Sequence, residues 1–175
     1  MVGLSGMFSE QFPILILYVK IFHIFFEEYL PELKDHMQDL PDALWINKWI
    51  QTLFLYSFPY GLCIRIWDNV LSEGTKFLIM AALAILSLIQ DDLIELDFTE
   101  INDYFKRFKE ETSDEPGLYN LLPETEKIIN RAHKFKITDE RIKELISQIE
   151  QEDEFYIELM ERIKQSKATQ NDMQD

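Results

Sequence analysis

The sequence contains a single cysteine, Cys63. One cysteine excludes an internal disulfide, and it cannot supply the thiolate set of a cysteine-based zinc site. We therefore expect a reducing compartment, most simply the cytoplasm. The residues around Cys63 are apolar and include no histidine, so we interpret this side chain as a structural thiol rather than a nucleophile.

Glycine and proline are scarce as well, with five and six residues in a chain of 175. Hydrophobic residues make up 47% of the chain, and thirteen of them are Phe, which is enough to bury a sizeable core. Few turn-forming residues and many large apolar ones favour long helices over a strand-and-turn fold. We find no internal repeat and no convincing pair of strands, and we predict an all-α fold.

Basic residues are outnumbered by acidic ones, 17 against 32, which gives a net charge of −15. Residues 91–175 carry most of this imbalance, since 23 acidic and 12 basic residues leave a net charge of −11 there. Such a chain repels phosphate groups. Nucleic acid is therefore not an expected partner, and an anionic membrane surface is disfavoured.

The longest apolar runs fall short of a membrane span. Residues 12–26 and 77–89 are both below the roughly 18–20 apolar residues that a spanning helix needs, and Lys20 and His23 interrupt the first run. The first residues lack the basic region of a signal peptide. We predict that both runs are buried core helices and that the chain does not insert into a membrane.

Few side chains suggest catalysis or metal binding. The sequence has no glycine-rich phosphate loop, and its three histidines include His23 and His36. His23 and Glu27 are one helical turn apart, as are Glu32 and His36, so four ligands could in principle be drawn from these residues. Their spacing differs from the Glu-x-x-His motif of metal-binding bundles. A helical metalloenzyme remains an alternative that bound metal after purification would support.

Apolar periodicity and helix-breaking residues divide the chain into eight candidate helices. They cover residues 9–26, 31–40 and 41–58, the segment between Pro59 and Gly74, and residues 76–90, 97–111, 123–135 and 139–168. Residues 111–122 have the composition of a linker. We predict a helical subdomain over 1–110, the linker 111–122, trailing helices over 123–168 and a disordered tail over 169–175.

The last predicted helix, 139–168, carries an apolar seven-residue repeat. The repeat positions are Ile142, Ile149, Tyr156 and Ile163, with Leu145 and Leu159 at the offset of three. Glu152 and Ser166 interrupt the seam. Packing of the first half on the same domain is one interpretation, and association with a helical partner or a second copy is the other.

One charged pair stands out within an apolar segment, residues 64–77. Arg65 and Asp68 are one helical turn apart on either side of Trp67. A guanidinium keeps its charge when buried, and losing its partner there costs about 3–5 kcal/mol. We therefore predict a buried or half-buried ion pair with a structural role, with Trp67 supplying packing area.

The surrounding sequence resembles the TBC domain family of Rab GTPase-activating proteins. The family pattern is a Trp, a Leu-Phe pair, a Pro, an Arg-x-Trp-Asp and a Glu-Gly before an Ala-rich helix. The matching residues are Trp49, Leu53, Phe54, Pro59, Arg65, Trp67, Asp68, Glu73 and Gly74. An upstream Pro-x-Leu-x-x-His segment matches at Pro31, Leu33 and His36, and residues 128–145 are similar to the segment that closes many such domains. The resemblance covers roughly residues 3–150.

The resemblance implies a fold and a partner. It predicts an irregular bundle of about seven or eight helices, corresponding to the C-terminal part of a TBC domain. In the family this part completes the helical core and contributes to the groove that receives the switch regions of a Rab GTPase. The motif residues listed above would support the shape of that groove, and no cofactor is implied.

The family's catalytic motifs are missing from these 175 residues. Family members stimulate GTP hydrolysis with an arginine from an Ile-x-x-Asp-x-x-Arg motif and a glutamine from a Tyr-x-Gln motif, and neither motif occurs here. Arg65 aligns with the structural Arg-x-Trp-Asp and is not the arginine finger. We expect both motifs to lie upstream of residue 1, and we predict that the chain alone is inactive. The alternative is a non-catalytic helical module that binds a Rab or another helical partner.

Overall fold

The computed structural model describes residues 12–109 and 122–172, and these residues form nine α-helices and no strand. The predicted all-α fold is confirmed for this part of the chain. The helices are α1 (Pro13–Tyr29), α2 (Pro31–His36), α3 (Ile46–Gln51), α4 (Tyr60–Glu73), α5 (Lys76–Ile94), α6 (Phe98–Arg107), α7 (Thr125–Ala132), α8 (Asp139–Glu152) and α9 (Glu154–Asp172). A single 3-10 turn, Asp42–Leu44, precedes α3.

Helix α5 is the centre of the bundle. Every residue from Phe77 to Leu86 is buried, because α1, α2, α3, α4 and α7 all pack around this helix. A helix that is apolar on all sides needs such a surrounding layer. Among the described residues α5 alone is long and apolar enough to cross a membrane, and 67% of its apolar window is buried by the other helices. It is longer than the predicted run and occupies the predicted place in the core.

Aromatic rings fill the space between α3, α6 and the turn that follows α3. The ring of Trp49 lies 4.8 Å from Phe58, 5.1 Å from Phe105 and 6.1 Å from Phe54, measured between centroids. Trp45 contacts Phe105 at 5.7 Å. Offset and edge-to-face contacts of this kind contribute about 0.5–1.5 kcal/mol each beyond area burial. This aromatic cluster packs around α3 and the turn after it, where the residues that match the family pattern begin.

Helix ends follow their sequence signals where a polar cap is available. Asp97 caps α6 by accepting the N–H groups of Thr99 and Glu100, and the Glu100 carboxylate accepts the Asp97 N–H, which completes a capping box. Thr138 caps α8 by accepting the Arg141 N–H.

The predicted continuous helix 139–168 is wrong, because the chain breaks at Asp153. This residue has an extended backbone conformation between α8 and α9, and its carboxylate accepts the Tyr156 N–H at 2.8 Å. The other carboxylate oxygen pairs with the Lys20 amine of α1 at 2.7 Å, and this hydrogen bond holds the pKa of Asp153 below its usual value. The end of α8 thus coincides with a tertiary contact between residues 133 positions apart.

The apolar repeat of the last helices faces the domain itself. Ile142, Ile149, Tyr156 and Ile163 are each at most 8% exposed, and both α8 and α9 pack on α1. The side chains that defined the candidate seam are thus largely buried within the chain. The linker 111–122 and the tail 169–175 fall wholly or partly outside the described residues, so the domain boundaries stay predictions.

Candidate functional site: the motif helix and its turn

The turn between α3 and α4 has an unusual backbone. Leu53 and Phe54 both have positive φ angles, 50° and 70°, which residues other than glycine rarely adopt. The Phe54 ring is fully buried, and its N–H donates to the Trp49 carbonyl at 2.7 Å. Burial of Phe54 against the aromatic cluster opposes the backbone strain of about 1–3 kcal/mol per residue.

Trp67 of α4 holds this turn in place. Its indole N–H donates to the Leu53 carbonyl at 2.8 Å, which joins residues 14 positions apart. The ring is half-buried and contacts Tyr60 at 6.4 Å. Trp67 therefore contributes a directed hydrogen bond as well as the packing area that the sequence suggested.

Proline and glycine set the two ends of α4. Pro59 occupies the N-cap, and its carbonyl accepts the N–H groups of Leu62 and Cys63. At the other end Gly74 has φ 90° and ψ 177°, a combination that is essentially restricted to glycine. The Gly74 N–H donates to the Val70 carbonyl at 2.9 Å. These two motif positions thus define the length of the motif helix.

The predicted buried or half-buried pair of Arg65 and Asp68 is instead a long ion pair between largely exposed side chains. The Arg65 and Asp68 side chains are 43% and 59% exposed, and their closest charged atoms are 3.9 Å apart. Arg65 instead forms a bidentate contact with Glu126 of α7, at 2.8 Å from Nε and 3.1 Å from Nη2. This contact raises the pKa of Arg65 and lowers that of Glu126. Arg65 therefore ties α4 to α7 at the surface.

Glu73 makes a second contact from the end of α4. Its carboxylate lies 2.7 Å from Nε2 of His133, just after α7, and the His133 ring lies 5.3 Å from Phe77 of α5. Together with Arg65–Glu126, this pair fixes α7 against α4. Neither Glu126 nor His133 could be found from the motif, because both partners lie about 60 residues away.

The outer face of α4 carries exposed apolar side chains. Tyr60, Ile64 and Leu71 are 62%, 37% and 85% exposed. Their spacing of four and seven residues places them on one side of the helix. Asp68 lies between Ile64 and Leu71 on the same side, whereas Leu62, Cys63 and Ile66 face the core. We call Tyr60, Ile64 and Leu71 the α4 stripe. None of these three residues was singled out from the sequence.

The histidines of the alternative metal site are separated by the fold. His23 pairs with Asp42 at 2.8 Å, and the Nε2 atom of His36 lies 2.9 Å from the carbonyl of Leu96. The described residues contain no group of three or more His, Cys, Asp or Glu side chains placed to hold a metal ion. The structure thus does not bring His23, Glu27, Glu32 and His36 together as ligands.

Cys63 lies in the core, where the effect of burial on the thiol pKa outweighs the opposing charge of Lys109. Its side chain is fully buried, its Sγ atom lies 3.7 Å from the Phe58 carbonyl, and burial raises the pKa of the thiol to about 11. A nucleophilic cysteine requires a lowered pKa. Cys63 has the environment of a structural thiol.

Comparison with known protein families decides what these motif residues represent. The sequence model RabGAP-TBC, the Rab-GTPase-TBC domain, matches residues 1–94, which is more than half of the 175 residues. The chain belongs to the Rab-GTPase-TBC domain family. The match includes α1 to α5, and with them the turn, Trp67 and the whole α4 stripe.

Individual relatives agree with this TBC assignment. TBC1 domain family member 12 of Xenopus tropicalis is 34% identical over 110 residues, and TBC1 domain family member 14 of Homo sapiens is 36% identical over 106 residues. These alignments cover 62% and 59% of the chain. The Ecotropic viral integration site 5 protein of Mus musculus is 30% identical over 126 residues, 71% of the chain. The matched segment is only 15–16% of each relative's length.

Proposed function

We propose that this chain binds a Rab-type GTPase through the α4 stripe and does not itself accelerate GTP hydrolysis. Family membership supports a Rab-type GTPase as the class of partner. The exposure of Tyr60, Ile64 and Leu71 on one face of α4 supports this face as the binding surface. Exposed apolar side chains grouped on one face of a helix are typical of interaction surfaces. This binding would place the chain in the cytoplasm, at trafficking membranes that carry its partner.

The strained turn gives the α4 stripe a fixed position. Trp67 bonds to Leu53 on one side of α4, and Arg65 bonds to Glu126 on the other. A surface held in one orientation loses less conformational entropy on binding. The motif residues therefore support the binding surface rather than contacting the nucleotide.

The proposed lack of activation follows from the side chains present. An arginine finger raises the rate of GTP hydrolysis about 10³–10⁵-fold, and neither finger motif of the family occurs in the sequence. The two arginines nearest the core cannot replace it without breaking contacts. Arg65 is bonded to Glu126, and Arg131 donates to Ser87 at 2.8 Å.

Binding and hydrolysis measured on the same samples test the proposal. The purified chain is titrated against a panel of Rab proteins loaded with GTP or GDP, and single-turnover hydrolysis is followed at saturating chain. We expect at least one GTP-loaded Rab to bind with an unchanged hydrolysis rate. No binding to any member of the panel would contradict the docking claim, and stimulated hydrolysis would contradict the claim of inactivity.

A pair of variants locates the surface. Leu71→Gln removes the most exposed apolar side chain of the α4 stripe without adding charge, and we expect about tenfold weaker binding, as for an interface residue whose replacement costs about 1.4 kcal/mol. Phe98→Gln is the matched control, because Phe98 is 45% exposed but belongs to α6. Equal weakening by both variants would show that α4 is not the contact surface.

A non-catalytic scaffold for another helical partner is the second candidate. The α4 stripe would serve such a partner equally well. Binding of a Rab that is independent of the bound nucleotide, or no binding by any Rab, would favour this candidate. Self-association through 139–168 has less support, since the apolar repeat of that segment is buried against α1.

A further inference from the structure

A cleft of about 360 Å³ lies between α3, the turn after it and α6. Lys48, Lys106 and Lys109 line it, together with the aromatic side chains of Trp49, Tyr56 and Phe105. None of its lining residues belongs to α4. The cleft is therefore a separate surface from the α4 stripe.

The charge of the cleft is opposite to that of the chain. The protein carries a net charge of −15, yet three lysines and no acidic residue line this opening. Lys106 pairs with Asp103 at 2.8 Å, outside the lining. Lys48 lies 6.0 Å from the centre of the Tyr56 ring, and the described residues place no carboxylate within ion-pair distance of its amine. The local field thus favours an acidic ligand.

The cleft is also shaped before any ligand arrives. The Lys109 amine donates to the Leu55 carbonyl at 2.7 Å, which fixes the turn against the end of α6. Trp49 and Phe105 are in edge-to-face contact at 5.1 Å and form a rigid floor. Tyr56 is 65% exposed and Leu55 is 41% exposed. An apolar side chain can lie against these groups while its acidic neighbours meet the lysines.

We propose that this cleft binds an acidic peptide segment of a partner protein, with one aromatic or aliphatic side chain against Tyr56 and carboxylates beside Lys48 and Lys106. A polyanionic surface is a poorer ligand, because the remaining charge of the chain repels an extended phosphate array. A short peptide brings few charges together with the apolar group that the exposed ring needs. The inference does not depend on Rab binding.

Fluorescence anisotropy with defined peptides tests this inference. The probes are short fluorescein-labelled peptides in which one Phe, Tyr or Leu is flanked on both sides by Glu, and matched probes carry Gln in place of Glu. We expect binding of the Glu peptides that weakens as salt is added, since exposed charges are screened. Absence of binding, or equal binding of the Gln peptides, would overturn the proposal.

Variants of the chain locate the peptide. Lys48→Gln should weaken binding about threefold, and Lys48→Gln combined with Lys106→Gln about tenfold, as expected for exposed ion pairs that act together. Tyr56→Ala should weaken binding by a similar factor. The matched control combines Lys143→Gln and Lys164→Gln, two exposed lysines of α8 and α9, and should bind as the unmodified chain does.

Two further outcomes separate this site from other surfaces. Leu71→Gln should leave the affinity for the peptide unchanged. Weaker peptide binding by this variant would mean that the peptide occupies the α4 stripe and would overturn the proposal. Sedimentation velocity should show that the peptide leaves the oligomeric state unchanged. Dissociation of a dimer by the peptide, abolished by Lys48→Gln, would instead identify a second copy of the acidic chain as the occupant and overturn the assignment to a partner protein.

Discussion

Burial alone would predict that replacing Trp45 with Phe destabilises the chain more than replacing Trp67 with Phe. We predict the opposite order. Trp45 is 2% exposed, but its indole N–H is buried without a hydrogen-bond partner among the described residues. Trp67 is only half-buried, yet its N–H is bonded to the Leu53 carbonyl at 2.8 Å. Trp67→Phe therefore removes a donor that has a hydrogen-bond partner, and Trp45→Phe removes a donor that has none.

The expected magnitudes follow from these two environments. Trp67→Phe loses a hydrogen bond with a net contribution of about 0.5–1.5 kcal/mol and strands the carbonyl of a strained turn, so we expect a loss of about 2 kcal/mol. Trp45→Phe loses about 2 kcal/mol of packing. The same replacement removes a buried N–H without a hydrogen-bond partner, which stabilises the folded state by about 1–3 kcal/mol. The net change in the free energy of unfolding for Trp45→Phe is therefore near zero.

Urea denaturation followed by far-ultraviolet circular dichroism measures both variants without relying on tryptophan fluorescence. Trp67→Phe should also lower the Tm by roughly 4–8 °C for a chain of this size. A larger loss of stability in Trp45→Phe than in Trp67→Phe would refute the reasoning. It would mean that packing, and not the indole hydrogen bond, determines the importance of the motif tryptophan.

Three further predictions follow from single residues. Because burial raises the pKa of Cys63 to about 11, iodoacetamide at pH 8 should alkylate the native thiol at least about 100-fold more slowly than the urea-unfolded one. Asp153→Asn should lower the free energy of unfolding by about 1 kcal/mol at pH 7. The pKa of Asp153 is depressed in the folded state, so the wild-type chain loses this advantage as the pH falls below about 3.9 and through the folded pKa. The difference between the two urea midpoints should therefore vanish in that range. Gly74→Ala should cost about 1–3 kcal/mol in thermal unfolding through backbone strain alone, since nothing lies within 4 Å of an added Cβ, whereas Gly61→Ala within α4 should be neutral or stabilising.

The helical fold could be predicted from the sequence because its signals are local. Apolar periodicity marked most helices, and Pro59 and Gly74 marked the ends of α4. These features depend on residues a few positions apart. The family resemblance came from the same local segment, and it is confirmed.

The errors concern contacts between distant residues. The i, i+3 spacing of Arg65 and Asp68 suggested a buried or half-buried pair, but that pair is long and exposed, and the guanidinium bonds to Glu126, 61 positions away. The seven-residue repeat suggested one long helix, but Lys20 pairs with Asp153 and the chain breaks there. Spacing within a helix reports which side chains share a face. It does not report what the other helices bring to that face.

The two proposed surfaces were missed for related reasons. Tyr60, Ile64 and Leu71 share a face that could have been found from their spacing, but their apolar character suggested burial. Lys48 and Lys109 are 61 positions apart and meet only through the packing of α3 and α6. Only the folded arrangement shows that basic side chains converge on one opening of an acidic chain.

Amide hydrogen exchange on the chain with and without a bound, GTP-loaded Rab tests the central claim most directly. The account predicts that binding slows exchange in residues 60–71 more than in any other helix of the described part of the chain. Slowed exchange confined to α8 and α9, or to the cleft between α3 and α6, would contradict the assignment of the α4 stripe as the Rab-binding surface.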